Sequence, residues 1–281
     1  MFKIKSVTHL TCFVAFWVLP LTVFAQEVND SSGFTKAIED NSYFIEEAYN
    51  QENRVIQHIS NLRYSLLSSH DLAYSFTQEW PVFSQKHQIS YTIGFSSLNS
   101  GNVFGFNDIM LNYRYQLTGH DAFVTLAPRI SLIIPTGNAK KDLGTGVIGY
   151  QFNLPASRRI SNGFACHANV GYTLLPNVET TDDNDIVTHK TYSFVNLGAE
   201  AIWLMTYKTN LMFEVLYNLL QEADKSSEVV TYGQVIISPG IRHAFDLKNL
   251  QIVPGFAVPI LMQSSKTEFG LFFYLSFEHP I

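Results

Sequence analysis

The chain has 281 residues, 46% of them apolar and 15% charged, with a formal net charge of −6. That acidic balance gives no reason to expect a nucleic-acid partner. Two cysteines are too few for a disulfide framework or a cysteine metal cluster, and the length suits one barrel of roughly 200–250 residues rather than a small secreted module.

Residues 1–25 read as a secretory signal peptide. Lys3 and Lys5 form a basic start, an apolar stretch runs to Pro20, and Val23 and Ala25 put small residues where a signal peptidase cuts. Cleavage after Ala25 leaves 18 − 2 = 16 basic residues against 24 acidic ones, a net charge of −8, with Cys166 as the remaining thiol. No later segment approaches the ~20 consecutive apolar residues of a transmembrane helix.

Residues 26–53 are acidic (Glu27, Asp30, Glu39, Asp40, Glu46, Glu47 and Glu52) and lack alternation. They read as a periplasmic segment, a short helix or irregular arm, in preference to a plug in a lumen.

From residue 54 the pattern changes to alternating apolar and polar positions. Phe164, Cys166, Ala168, Val170, Tyr172 and Leu174 interleave with Ala165, His167, Asn169, Gly171 and Thr173. A period of two puts one set on each face of a strand. Twelve such strands are expected, near 54–67, 70–80, 86–97, 106–117, 122–134, 146–158, 163–175, 190–205, 208–220, 230–243, 249–262 and 266–278. Short links alternate with longer polar ones such as 99–105, 136–145, 176–189 and 221–228; the link at 68–69 is shorter than that scheme asks. An exported chain of this kind predicts an all-β fold: an antiparallel outer-membrane β-barrel over 54–281, with short periplasmic turns, longer external loops and aromatic girdles. The alternate Phe269, Leu271, Phe273, Leu275 and Phe277 suit a strand read by the barrel assembly machinery. Pro128, Pro239, Pro254 and Pro259 fall inside predicted strands, where a missing N–H requires a bulge, a kink or a boundary.

In a membrane barrel the apolar face meets lipid and the polar face lines the lumen. Asp108, Arg114, Arg129, His167, Glu200 and Glu214 fall on the polar face and are the candidate lumen-lining residues. They either line an aqueous path or brace the barrel as an ion-pair network. A catalytic role for His58, His167 or His243 lacks a serine at convincing spacing, so neither an enzyme nor a cofactor is expected. The runs Lys140-Lys141-Asp142 and Asp182–Asp185 read as solvated loop charge.

Several segments resemble one known family. Tyr43-Phe44-Ile45-Glu46-Glu47-Ala48-Tyr49-Asn50-Gln51-Glu52, Gly105-Phe106-Asn107-Asp108-Ile109, Tyr113-Arg114-Tyr115-Gln116-Leu117, Ala127-Pro128-Arg129 with Pro135-Thr136-Gly137, Gln151-Phe152-Asn153-Leu154-Pro155, His167-Ala168-Asn169-Val170-Gly171-Tyr172-Thr173 and Asn196-Leu197-Gly198 are similar to the MetA-pathway of phenol degradation family of outer-membrane barrels. The resemblance covers nearly all of the chain after the signal, and it implies passage of small, often aromatic or hydrophobic, compounds. The expectation is a monomeric or weakly oligomeric passive channel in the cell outer membrane, with membrane lipid and a small-molecule permeant as partners. The rival readings are a sealed structural or adhesive barrel and a periplasmic ligand-binding barrel with an apolar interior.

Overall fold

The computed structural model describes residues 42–67, 70–119, 121–181, 186–224, 227–264 and 266–280. The expected signal peptide, residues 26–41, the link at 68–69 and the acidic run at 182–185 lie outside the described residues.

Among the described residues the alternation folds into sixteen strands. The first eight are β1 (Val55–Ser65), β2 (Leu72–Val82), β3 (Ser84–Leu98), β4 (Val103–Phe106), β5 (Ile109–Tyr115), β6 (Thr125–Leu126), β7 (Arg129–Ile134) and β8 (Gly149–Ser161). Then follow β9 (Phe164–Thr181), β10 (Val187–Leu204), β11 (Thr209–Ala223), β12 (Val229–His243), β13 (Phe245–Leu247), β14 (Leu250–Ala257), β15 (Ile260–Gln263) and β16 (Lys266–Pro280). They make a closed antiparallel barrel of 12 staves, with β16 pairing back to β1 from Val55↔Pro280 to Ser65↔Gly270. β14 and β15 together form one stave, β4 flanks β3, β6 extends β7, and β13 makes a hairpin with β14. The chain enters β1 and leaves β16 at the same end, called here the near end; the opposite mouth is the far end.

Two proline-bearing strands divide where the sequence warned of trouble. Pro128 separates β6 from β7, yet the register against β8 runs on unchanged, from Leu126↔Ala156 to Arg129↔Asn153. Pro259 separates β14 from β15, and Ile237↔Ile260 and Gly240↔Ala257 keep one register across the gap. Val258 N–H donates to the carbonyl of Pro239 at 3.1 Å, so the two prolines share one local interruption. A ladder that loses single N–H groups without slipping keeps every side chain on its own face.

Segments expected as loops are partly strand. Residues 176–181 and 187–189 belong to β9 and β10, which pair as far as Val187↔Thr181. Thr180, Thr181, Val187 and Thr188 are β-branched and favour an extended ribbon. The near-end link 116–124 is correspondingly longer than expected.

Faces sort by polarity as lipid would require. Phe152, Tyr172, Leu197, Phe213 and Phe273 point outward and are each at least 44% exposed, whereas Asn153, Asn169, Glu214 and Ser276 point inward and are buried. No helix among the described residues is long and apolar enough to cross a membrane; in a membrane barrel it is the strands that supply the crossing surface.

Candidate functional site

Residues 42–51 run across the inside of the barrel as an irregular strap. This corrects the expected periplasmic placement for that part of 26–53. An irregular chain exposes backbone N–H and C=O groups that burial must satisfy, and the polar lumen wall supplies them. Glu214 Oε1 accepts the N–H groups of Tyr43, Phe44 and Ile45 at 2.9, 2.7 and 3.1 Å. Ser157 Oγ accepts Ala48 N–H at 2.7 Å, Gln116 Oε1 accepts Asn50 N–H at 2.9 Å, and Gln88 Oε1 accepts Gln51 N–H at 2.7 Å. Arg114 donates to the carbonyl oxygens of Glu47 and Tyr49 and to Asn50 Oδ1. Arg129 Nε engages both oxygens of Glu46, which also accepts from Asn153.

The apolar half of the strap has its own socket. The Tyr43 ring packs 5.2 Å from Phe272 and 5.4 Å from Tyr274, and Phe44 lies 4.9 Å from Phe272. Tyr43 hydroxyl donates to the carbonyl of Ile241 at 2.6 Å. Glycines make room: a Cβ on Gly240 or Gly255 would strike the Tyr43 ring, and one on Gly198 would strike Ile45. These wall positions face the lumen, where any larger residue would unseat the strap.

Register alignment exposes a second feature of the lumen. One row of register partners runs through Gln88, Arg114, Arg129, Asn153, Gly171, Asn196, Asn218, Gln234 and Gln263 across β3 to β15. All but Gly171 carry an amide or guanidinium, and the Asn196 amide fills the space over Gly171. Staves of a barrel tilt, so a row perpendicular to them climbs the axis. It begins close to the near end of β3 and finishes at Gln263, the far tip of β15. A polar track therefore winds from one mouth towards the other. The strap occupies its lower half by matching polar groups: Gln51 on Gln88, Asn50 on Arg114, and Glu46 on Arg129 and Asn153.

Five of the six sequence-derived candidates meet the strap directly or through one neighbour. Arg114, Arg129 and Glu214 bind it as described, and Glu200 accepts from the Ser42 hydroxyl. His167 Nδ1 sits 2.7 Å from Ser157 Oγ, and its ring meets Tyr49 edge-on at 5.8 Å. The serine partner that the sequence did not supply for His167 is thus Ser157, one strand away. Both are buried and serve to seat Ala48. Asp108 stands apart, ahead of β5 at the far end. It accepts from Gly137 N–H and from the N–H and hydroxyl of Thr145, pinning the 136–147 loop. Gln88, Gln116, Asn153 and Ser157 were missed because uncharged polar residues are commonplace on a barrel's inner face.

Known structures share this architecture. The COG4313 outer membrane channel from Pseudomonas putida F1 superposes with a TM-score of 0.60, at 10% sequence identity, over 83% of this chain and 98% of that one. The fold is that of an outer-membrane β-barrel. The NanC porin gives a TM-score of 0.50 at 8% identity, covering 80% of this chain and 100% of that one. No protein-family model and no curated protein matches the sequence, so the finer family resemblance is not established by these comparisons.

Proposed function

We propose that this chain is an outer-membrane channel for small molecules that carry hydrogen-bonding groups, aromatic and otherwise apolar bodies included, with the strap 42–51 as its closure. The polar track carries this reading. Amides and guanidinium groups recur along one continuous row of the wall, and the row runs on beyond the groups that the strap engages, through Asn196, Asn218, Gln234 and Gln263. Such a row replaces the hydration of a passing solute by successive hydrogen bonds, and selectivity follows from width and lining charge. The strap already uses the lower track in this way, so it and a permeant compete for the same groups. The likeness to outer-membrane channels supports the membrane address through the fold alone, and the sequence resemblance supports aromatic or hydrophobic bodies.

A second reading, a sealed structural barrel, draws on the Arg129–Glu46 and Arg114–strap contacts, which brace the lumen. Planar-bilayer conductance separates the two. The chain beginning at Gln26 is expected to be nearly silent, and the chain beginning at Glu52 to conduct steadily, with folding of both verified by heat-modifiable migration on gels. A folded, strap-free barrel that stays silent would overturn the channel reading in favour of the sealed one.

A further inference from the structure

On the far side of the strap lies a cavity of about 190 Å³ lined by Phe44, Leu98, Ile236, Leu261 and Arg63, with Asp71 and Glu268 at its polar side. Arg63 belongs to the inward-facing set of β1, in line with Gln57, Ile59 and Asn61, yet it is solvent-exposed. Its side chain lines the cavity beside Asp71 and Glu268 and keeps access to solvent. Among the described residues Arg63 has no carboxylate within 4.0 Å and donates no hydrogen bond. Two acids, Asp71 and Glu268, lie close enough to act on Arg63 electrostatically but do not pair with it: Glu268 pairs with Lys266, and Asp71 Oδ1 accepts Asn99 N–H at 2.7 Å. The other lumen arginines described above, Arg114 and Arg129, spend their donors on the strap or the wall. A planar guanidinium with five free donors matches a carboxylate in fork geometry. Beside it, one aromatic ring and three aliphatic side chains form an apolar wall, and a cavity of about 150 Å³ already accommodates benzene.

We propose that this cavity is a binding site for small monocarboxylates with an apolar body of about one aromatic ring, the carboxylate on Arg63 and the body against Phe44, Leu98, Ile236 and Leu261. The proposal deepens the channel reading and rests on it for its biological sense, since the site would be the permeant's last or first station before the strap. Because Phe44 is a strap residue, an occupant touches the closure itself.

Equilibrium dialysis of radiolabelled benzoate against the refolded chain beginning at Gln26, strap in place, tests this without any conductance. Saturable binding is expected, at least tenfold tighter than for acetate, which lacks the ring, or for benzyl alcohol and benzylamine, which lack the anion. Arg63→Gln should weaken benzoate at least tenfold, in line with loss of a charge-assisted pair, and Arg63→Lys should recover part of it. Absence of saturable binding would overturn the proposal, as would benzyl alcohol or benzylamine binding as tightly as benzoate, or equal binding by a folded Arg63→Gln. If Arg63→Gln fails to fold, the ligand series and Arg63→Lys decide. Benzoate binding by a barrel that stays silent without its strap would sink the channel reading alone, and a conducting barrel blind to benzoate would sink this one alone.

Discussion

Arg129 Nε lies 2.8 and 2.9 Å from the two carboxylate oxygens of Glu46, which ties the barrel wall to a residue 83 positions earlier in the chain. Removing one partner of a buried pair leaves the other uncompensated, at a cost of up to about 3–5 kcal/mol. Both side chains keep some exposure, 16% and 20%, so the lower part of that range applies. Arg129→Ala and Glu46→Ala are each expected to loosen the strap and raise bilayer conductance above that of the parent, with the barrel still heat-modifiable. Unchanged conductance in both would show that the strap is held elsewhere.

Glu214 carries three strap N–H groups on one oxygen. Hydrogen bonds of this kind contribute roughly 0.5–1.5 kcal/mol each, though not additively. In Glu214→Ala the amides of residues 43–45 should exchange with deuterium roughly ten- to a hundredfold faster. Glu214→Gln, which keeps a carbonyl acceptor, should fall between. Equal protection in Glu214→Ala would remove the anchor from the account.

Gly255→Val tests the fit of Tyr43 without touching a charge. The added side chain overlaps the ring, so conductance should rise. Tyr43→Ala placed on top of Gly255→Val should relieve the overlap and lower conductance again. The double-mutant cycle isolates that contact, and additive effects would count against it.

The inside-out polarity of the wall is open to a direct measurement. Phe213 faces outward and Asn218 inward. Phe213→Lys should destabilise the barrel in lipid by roughly 2–4 kcal/mol near the midplane, read from guanidinium unfolding in vesicles. Asn218→Lys should cost far less. A reversed order would mean the outer face does not meet lipid.

Asp108 restrains its loop through Gly137 and Thr145. Asp108→Ala should speed tryptic cleavage after Lys140 and Lys141, which sit in the short 3-10 turn Ala139–Lys141 of that loop. Cleavage at the parental rate would show that the loop holds without it.

Much of the barrel was readable because a strand's side-chain period is two and lipid enforces it. Leu211, Phe213, Val215, Tyr217 and Leu219 alternate in sequence and all point outward. Charged inward residues were readable for the same reason, as Arg114 and Glu214 show. The strap was not. Its ten residues have no period, and their partners lie on strands scattered from β1 to β16, so no local pattern announces them. A trace was present: Tyr43-Phe44-Ile45 is an apolar triplet inside an acidic arm, and Gly198, Gly240 and Gly255 leave gaps on the lumen face. The row from Gln88 to Gln263 was equally hidden, since it exists only once registers between neighbours are known.

The strap also bears on how the barrel is built. It leads straight into β1, whose second partner is β16, the last strand of the chain. Its sockets reach Ile241 on β12 and Phe272 on β16, separated from Tyr43 by nearly the whole barrel sequence. The first described residues to leave the ribosome thus gain a complete seat only once the last strand is present. Contacts of such long range are paid for in loop-closure entropy before they return anything. A polypeptide stalled before β16 has no complete seat for its own beginning, and protection of residues 42–51 reports a barrel whose last strand is in place.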